Sequence, residues 1–346
     1  MENDNFVMMD TCTISQIFDI NKINNQDKIK THNIEVLKEL FNTNKCPVIT
    51  DLSFVEIICG LNKDNFYYIL DTLEKCEFLI LSTNSKFKKY VEYIKENKAN
   101  YDKIERIKDS LLKVKVEVLF PFFMNLFERY MKMLILILSQ KNSLFFNFYL
   151  IVNNPNFKFK DLIEHYLNNL LEDAIINHNK LDLFKTVHDL ILKFFSYTYS
   201  NPIHDEINDV NVMDVDKIIN EIDEIFKKSE SKIPSISKKI LIEIKRNKVI
   251  SHDNIDKTLE YMLSNEYIRK NNNKLDNYVQ ERVIDYINGS YFFDGVKFKI
   301  NDLVDAYNCI EAFNDQYKIS YYTSDDRWKK FLKYNNIINE KNMPNY

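Results

Sequence analysis

Glycine is almost missing from this sequence: Gly60, Gly289 and Gly295 are the only three in 346 residues. A phosphate-cradling P-loop or a dinucleotide fingerprint needs several glycines within a few positions, so both enzyme classes are excluded. Proline is scarce too, with six in all. Long runs rich in Leu, Ile, Lys, Glu and Asn then favour helices over tight-turned sheets. Paired cysteines are lacking. Cys12, Cys46, Cys59, Cys76 and Cys309 are odd in number and form no Cys-x-x-Cys, the pattern of reduced thiols in a cytoplasmic protein. The histidines show no metal-ligand spacing and have no evident nucleophile partner. A basic-then-apolar leader is missing from MENDNFVMMD, so no secretion signal is expected. A spanning run is missing as well. The apolar stretch Val118–Ile151 is interrupted by Glu128, Arg129, Lys132 and Lys141, short of the about 20 consecutive apolar residues a membrane helix needs. It predicts buried helices and no membrane contact.

What is present is the composition of a folded protein, 45% hydrophobic and 28% charged. A net charge of -4 argues against bulk attraction to nucleic acid, although a net value hides patches. Two such patches are basic. Residues Lys86–Lys115 hold ten Lys/Arg against five acids, and Lys227–Lys248 hold eight against two. They are candidate phosphate contacts, although such runs are more often solvated helix faces.

Strand and helix signals alternate over the first 84 residues. Apolar runs at Phe6–Asp10, Pro47–Ile49 and Glu77–Ser82 predict strands. Helical spacing over Thr13–Asp19, Ile29–Phe41, Phe54–Leu61 and Asp64–Leu73 separates them. That alternation predicts βαβ units and a parallel sheet. From Asn84 onward the pattern is helical for some 200 residues, and Leu111–Leu138 is apolar on nearly every side, as in a buried bundle helix. Helices are predicted at Leu162–Asn177, Lys180–Tyr197, Val215–Lys228, Ser237–Asn247, Asn254–Ser264 and Leu275–Ile287. Asn288-Gly289 reads as the last helix stop. Beyond it, Tyr291–Phe293 and Val296–Ile300 flank Asp294-Gly295 as a predicted hairpin. Asn301–Phe313 is then helical, Lys318–Tyr322 strand-like and Asp326–Lys333 helical. The expected organisation is one α/β domain, residues 1–84 and 290–346, split by an all-helical insertion over 85–289.

Four acids recur at strand ends or near helix starts: Asp10, Glu56, Asp302 and Asp325. In open α/β sheets the carboxyl ends of parallel strands gather at one edge, where ligands bind. Asp10 and Asp325, each directly after an apolar strand pattern, meet there if their strands are neighbours. Glu56 and Asp302 reach the same place from adjoining helices. Carboxylates held together repel unless a cation sits among them, and hard oxygen donors suit Mg²⁺ or Mn²⁺. Each acid alone reads equally well as a helix cap or solvated turn. Asp305 and Asp326 are alternative ligands beside Asp302 and Asp325.

In order along the chain stand Asp10-Thr11, Ser53 with Glu56 and Gly60, Asp302 with Ala306, and Thr323-x-Asp325 with Trp328. In this set the chain resembles the PIN-domain nucleases. The resemblance covers the 141 terminal residues and implies a three-layer α/β/α fold with a mainly parallel sheet. It also implies cleavage of RNA, less often of structured DNA, with Mg²⁺ or Mn²⁺ held by the four acids. Thr11, Ser53 and Thr323 would orient those ligands through hydrogen bonds. Arg327, Lys329 and Lys330, next to Asp325, would hold the scissile strand. Two departures stand out. Cys12 occupies a position where the family often has Asn or Ser, and Glu56 and Asp302 lie 246 positions apart instead of a few dozen. The expected partners are RNA in preference to DNA, a regulatory protein, and a second copy of the chain. Control by a partner, or use as a toxin or defence effector, follows from the hazard of a free ribonuclease. The rival expectations are a non-catalytic scaffold and a structure-specific DNA nuclease.

Overall fold

The computed structural model describes residues 6–11, 13–14, 45–82, 84–139, 142, 144–145, 148, 159–200, 215–247, 279–313, 319–323 and 325–334. The expected helices at Ile29–Phe41 and Asn254–Ser264, and most of the one at Thr13–Asp19, lie outside these residues.

Four short strands form one sheet: β1 (Phe6–Met9), β2 (Cys46–Thr50), β3 (Leu79–Leu81) and β4 (Ser320–Tyr322). Their order is β3-β2-β1-β4, and every neighbouring pair runs parallel. The fold class is therefore α/β, although helix predominates. Val7, Met8 and Met9 are buried, as are Val48 and Ile49. Consecutive apolar residues rather than alternating ones mark a strand covered on both faces, the condition of a parallel sheet.

Around the sheet lie α1 (Asp51–Gly60), α2 (Lys63–Lys75), α3 (Ser85–Glu96) and the short α4 (Tyr101–Glu105). Helix α1 starts without a connecting loop, because Thr50 ends β2 and caps the helix, its side chain accepting from the Ser53 N–H. Next comes α5 (Lys108–Ser139), 32 residues and about 48 Å long. It is buried on most sides, from Leu111 through Phe123 and Phe127 to Leu138, as its all-round apolar sequence predicts. The helical region continues with α6 (Phe159–Ile176), α7 (Leu183–Ser200), α8 (Val215–Ser229), a 3₁₀ turn at Glu230–Lys232, and α9 (Ile233–Asn247). Helix α10 (Val279–Asp294) leads back to α11 (Asn301–Ala312), then β4 and α12 (Asp326–Tyr334). Helix α5 packs against α1, α3, α10 and α11 as well as α6, so one apolar core runs from the strands into the helices. Among the described residues no helix is long and apolar enough to cross a membrane.

One stretch differs from expectation. The helix does not stop at Asn288-Gly289, and Tyr291–Phe293 with Val296–Ile300 is not a hairpin; α10 continues to Asp294. Burial decides this. Asn288, Gly289, Phe292 and Phe293 are all enclosed, and the Asn288 amide donates to the Leu126 carbonyl of α5 at 3.4 Å. The glycine that ends the helix is Gly295, left-handed at φ 69°, with its N–H on the Tyr291 carbonyl at 3.0 Å. A Cβ there would also stand 3.4 Å from Pro234 Cγ. Gly295→Ala is expected to cost about 1–2 kcal/mol in urea denaturation. Gly60→Ala, where a Cβ meets nothing within 4 Å, is the paired control.

Candidate functional site: an acid cluster at the carboxyl edge of the sheet

Parallel pairing of β1 with β4 sets the first two acids side by side. The register Met9↔Tyr322 continues one step further through the Asp10 N–H, which donates to the Tyr322 carbonyl at 3.3 Å. Asp10 is wholly buried. Its Oδ2 accepts from Thr323 Oγ1 at 2.5 Å and its Oδ1 from the Thr13 N–H at 2.6 Å. Burial pushes its pKa up, the bonds from Thr13 and Thr323 pull it down, and the charge of Asp325 raises it again. The Thr323 hydroxyl also accepts from the Asp325 N–H at 3.0 Å, so one threonine links both acids. Asp325 itself caps α12, its Oδ1 taking the N–H groups of Arg327 at 2.7 Å and Trp328 at 3.3 Å.

Helix α11 contributes a face. Asp302, Asp305 and Asn308 recur every three residues and so share one side of the helix. Asp302 is buried. Its Oδ2 accepts from the Lys299 N–H and its Oδ1 from Arg327 Nη1, both at 2.9 Å. Asp305, one turn on, is where the charges meet. Burial raises its pKa first, and Asp10, Asp302, Glu56 and Asp325 push it further, to about 8. The four acids expected from the sequence therefore converge, and Asp305 sits among them. Glu56, on the second turn of α1, completes the group. Its Oε1 lies 2.5 Å from Lys115 Nζ of α5.

A hydroxyl network braces this arrangement. Thr11 Oγ1 donates to Ser53 Oγ at 2.9 Å, and Ser53 Oγ donates to Asn308 Oδ1 at 3.0 Å. Thr50 Oγ1 donates to the same oxygen at 2.6 Å. Of the three hydroxyls expected to orient the acids, Thr323 bonds Asp10 directly, while Thr11 and Ser53 tie the β1 edge to α1 and α11. Asp51, a buried acid at the end of β2, is also structural. Its oxygens accept from Leu52 N–H, Tyr307 Oη and Asn84 N–H at 2.8, 3.2 and 3.2 Å.

The basic residues near Asp325 part company. Arg327 turns inward to Asp302 and lies over the Tyr286 ring, 5.9 Å from its centroid. Lys329 pairs with the exposed Asp326 at 3.3 Å, and Lys330 faces solvent. Asp326 is accordingly a surface acid and Asp305 a central one. Within the Lys86–Lys115 run, Lys86 pairs with Glu117, and Lys98 and Lys108 pair with Glu74 and Glu105, each at 2.7 Å. Lys88, Lys89 and Lys95 stay exposed on α3.

Comparison with protein-family models, curated proteins and solved structures gave no match. The geometry carries the functional argument by itself. Among the described residues no three His, Cys, Asp or Glu side chains stand as a ready metal-ligand group; Glu56 and Asp302 are each paired with a cation, Lys115 and Arg327. The donor chemistry nonetheless suits a hard divalent ion, since every acid here offers oxygen alone. Two orphaned atoms belong to the elements that carry the acids. Tyr321 Oη and Asn308 Nδ2 are buried without a hydrogen-bond partner. The Tyr321 hydroxyl is held well above its ordinary pKa by burial and by the charges of Asp10, Asp305 and Asp325. Unpartnered buried polar groups are costly unless something else is bound there.

Lys115, Asn308 and Tyr321 were not foreseen from the sequence. Asn308 had a signal, the Asp-x-x-Asp-x-x-Asn spacing on one helix face. Lys115 had none, being one of ten basic residues in its run.

Proposed function

We propose that the chain is a metal-dependent endonuclease, most readily an endoribonuclease, with a PIN-like site gated by its helical segment. The observation that carries this reading is the convergence on Asp305 of carboxylates from both ends of the chain, at the carboxyl edge of a parallel sheet. Asp10, Glu56, Asp302, Asp305 and Asp325 would hold Mg²⁺ or Mn²⁺. Such ions polarise a phosphodiester, lower the pKa of a bound water and neutralise the leaving oxygen. The chain's own part is to hold the carboxylates still: Thr323 fixes Asp10, and the Thr11–Ser53–Asn308 bonds fix α1 against α11. Lys330 and the exposed lysines of α3 are candidate phosphate contacts.

The test is cleavage of labelled RNA, single-stranded DNA and duplex DNA with Mg²⁺ or Mn²⁺, by wild type, Asp10→Asn and Asp302→Asn. Cleavage by wild type and loss in both variants is expected, with RNA the preferred substrate. Equal activity in all three proteins, or none with any substrate, would sink the catalytic reading. A second reading, a non-catalytic scaffold, draws on the two ion pairs that neutralise Glu56 and Asp302, and it is the reading left standing if no cleavage occurs.

A further inference from the structure

Among the buried charged side chains described, Lys115 is the one cation. It belongs to α5, not to a strand or to a helix that follows one, yet it reaches the acid cluster and holds Glu56 at 2.5 Å. Helix α5 packs on both acid-bearing helices, α1 and α11. The cluster has five carboxyls, from Asp10, Glu56, Asp302, Asp305 and Asp325, and two cations, Lys115 and Arg327, turned to it. The two cations are not equivalent. Arg327 is fixed from several sides, by Asp302, by the Tyr286 ring and by the Tyr286 hydroxyl, which donates to its carbonyl. Lys115 is a point charge on a flexible four-carbon stem and bonds to Glu56. The Tyr321 hydroxyl, 1% exposed and without a hydrogen-bond partner, is a buried polar group beside these acids, within reach of the fields of Asp10, Asp305 and Asp325.

We propose that Lys115 is a built-in counter-ion for this site, which a divalent cation must displace from Glu56, so that ion binding and the position of α5 are coupled. This rests on the metal-site reading above. The physical reason is mutual exclusion. A dication ligated by Glu56 and an ammonium bonded to the same carboxylate would be a few ångströms apart, and their repulsion in a partly buried site is too large to tolerate. Without an ion, Lys115 keeps Glu56 neutralised; with one, its stem swings away and α5 loses one of its ties to α1, the bond from Lys108 Nζ to the Leu61 carbonyl remaining. The helical segment thereby senses whether the site is loaded, and whatever shifts α5 alters ion affinity in return.

Mn²⁺ binding to the full chain, read by titration calorimetry or by the Mn²⁺ electron paramagnetic signal, tests this without any activity measurement. Lys115→Met removes the competing charge and is expected to bind Mn²⁺ about tenfold tighter than wild type. Lys115→Arg, which keeps the charge, is expected to stay near the wild-type affinity, and Asp10→Asn to lose binding. Equal affinity in wild type and Lys115→Met would overturn the counter-ion role while leaving the metal site intact. No binding by wild type or Lys115→Met would overturn both. Should Lys115→Met not fold, hydrogen exchange on wild type decides the matter. Amides of residues 108–118 should exchange faster with Mn²⁺ than without, and unchanged exchange despite bound Mn²⁺ rejects the coupling.

Discussion

Asp305→Asn should make the metal-free protein more stable at neutral pH, even as it removes a carboxylate from the proposed ion site. An unfolded Asp305 titrates near 3.8, whereas in the fold burial and four neighbouring acids hold it at about 8. Between those values the folded chain keeps a proton that the unfolded chain has released. Stability therefore falls as pH rises from the lower value to the upper, and is level above it. Near pH 7.5 the accumulated loss is about 3–5 kcal/mol. An uncharged asparagine of nearly the same shape does not suffer it. Thermal melts in EDTA should show the variant about 5 °C or more above wild type at pH 7.5, with the gap closing toward pH 4. A lower melting temperature at pH 7.5, or a gap independent of pH, would show that Asp305 is not the repelled centre of the cluster. The pairing of a stability gain with a loss of ion binding is what a functional site predicts and a structural acid does not.

The second large effect lies beneath the site. Trp328 is fully buried, with Phe331 edge-on at 5.7 Å and Tyr286 at 6.0 Å. Its backbone N–H sits on the Asp325 carboxylate. It thus anchors α12 to α10 and, through the first turn, holds Asp325 and Arg327 where they face α11. Trp328→Ala opens a cavity for a whole indole and is expected to cost about 3–5 kcal/mol in urea unfolding followed by circular dichroism. Trp328→Phe keeps most of the ring and removes an indole N–H that has no partner, so its cost should be nearer 1–2 kcal/mol. If Trp328→Ala costs no more than a surface change, about 0.5 kcal/mol, the packing account of α12 is wrong.

Local pattern in the sequence was enough to foresee each strand of the sheet. Phe6–Asp10, Pro47–Ile49, Glu77–Ser82 and Lys318–Tyr322 are apolar runs between helical patterns, and β1 to β4 lie within or beside them. Asp10 was legible because it ends such a run, and Asp325 because it stands three residues after one. Less legible was anything fixed by packing between distant segments. Asp294-Gly295 looks like a hairpin turn, because a left-handed glycine serves a tight turn and a helix end equally; only the burial of Phe292 and Phe293 against the core tells them apart. Asp302 and Asp305 are three residues apart on one helix, and sequence could not say which stands at the centre. That follows from where α1 and β1 put Glu56 and Asp10. Arg327 looked like a substrate contact because it is basic and near Asp325, but its side chain is turned to Asp302. Lys115 pairs across 59 positions and sits in a helix whose other buried residues are apolar, so no periodicity marks it.

The pairing of β1 with β4 has a consequence for how the protein comes into being. The hydroxyl that holds Asp10 arrives 313 residues after it, and the strand lying against β1 on that side is made just before that hydroxyl. During synthesis the early strands can pair with one another, but β1 must wait with one edge open and Asp10 unsupported until nearly the whole described chain has emerged. Contacts of such sequence separation are slow to close, and open strand edges invite wrong pairings in the meantime. A nascent or truncated chain lacking β4 therefore has no assembled acid site, so any activity the site possesses is withheld until translation has passed Thr323.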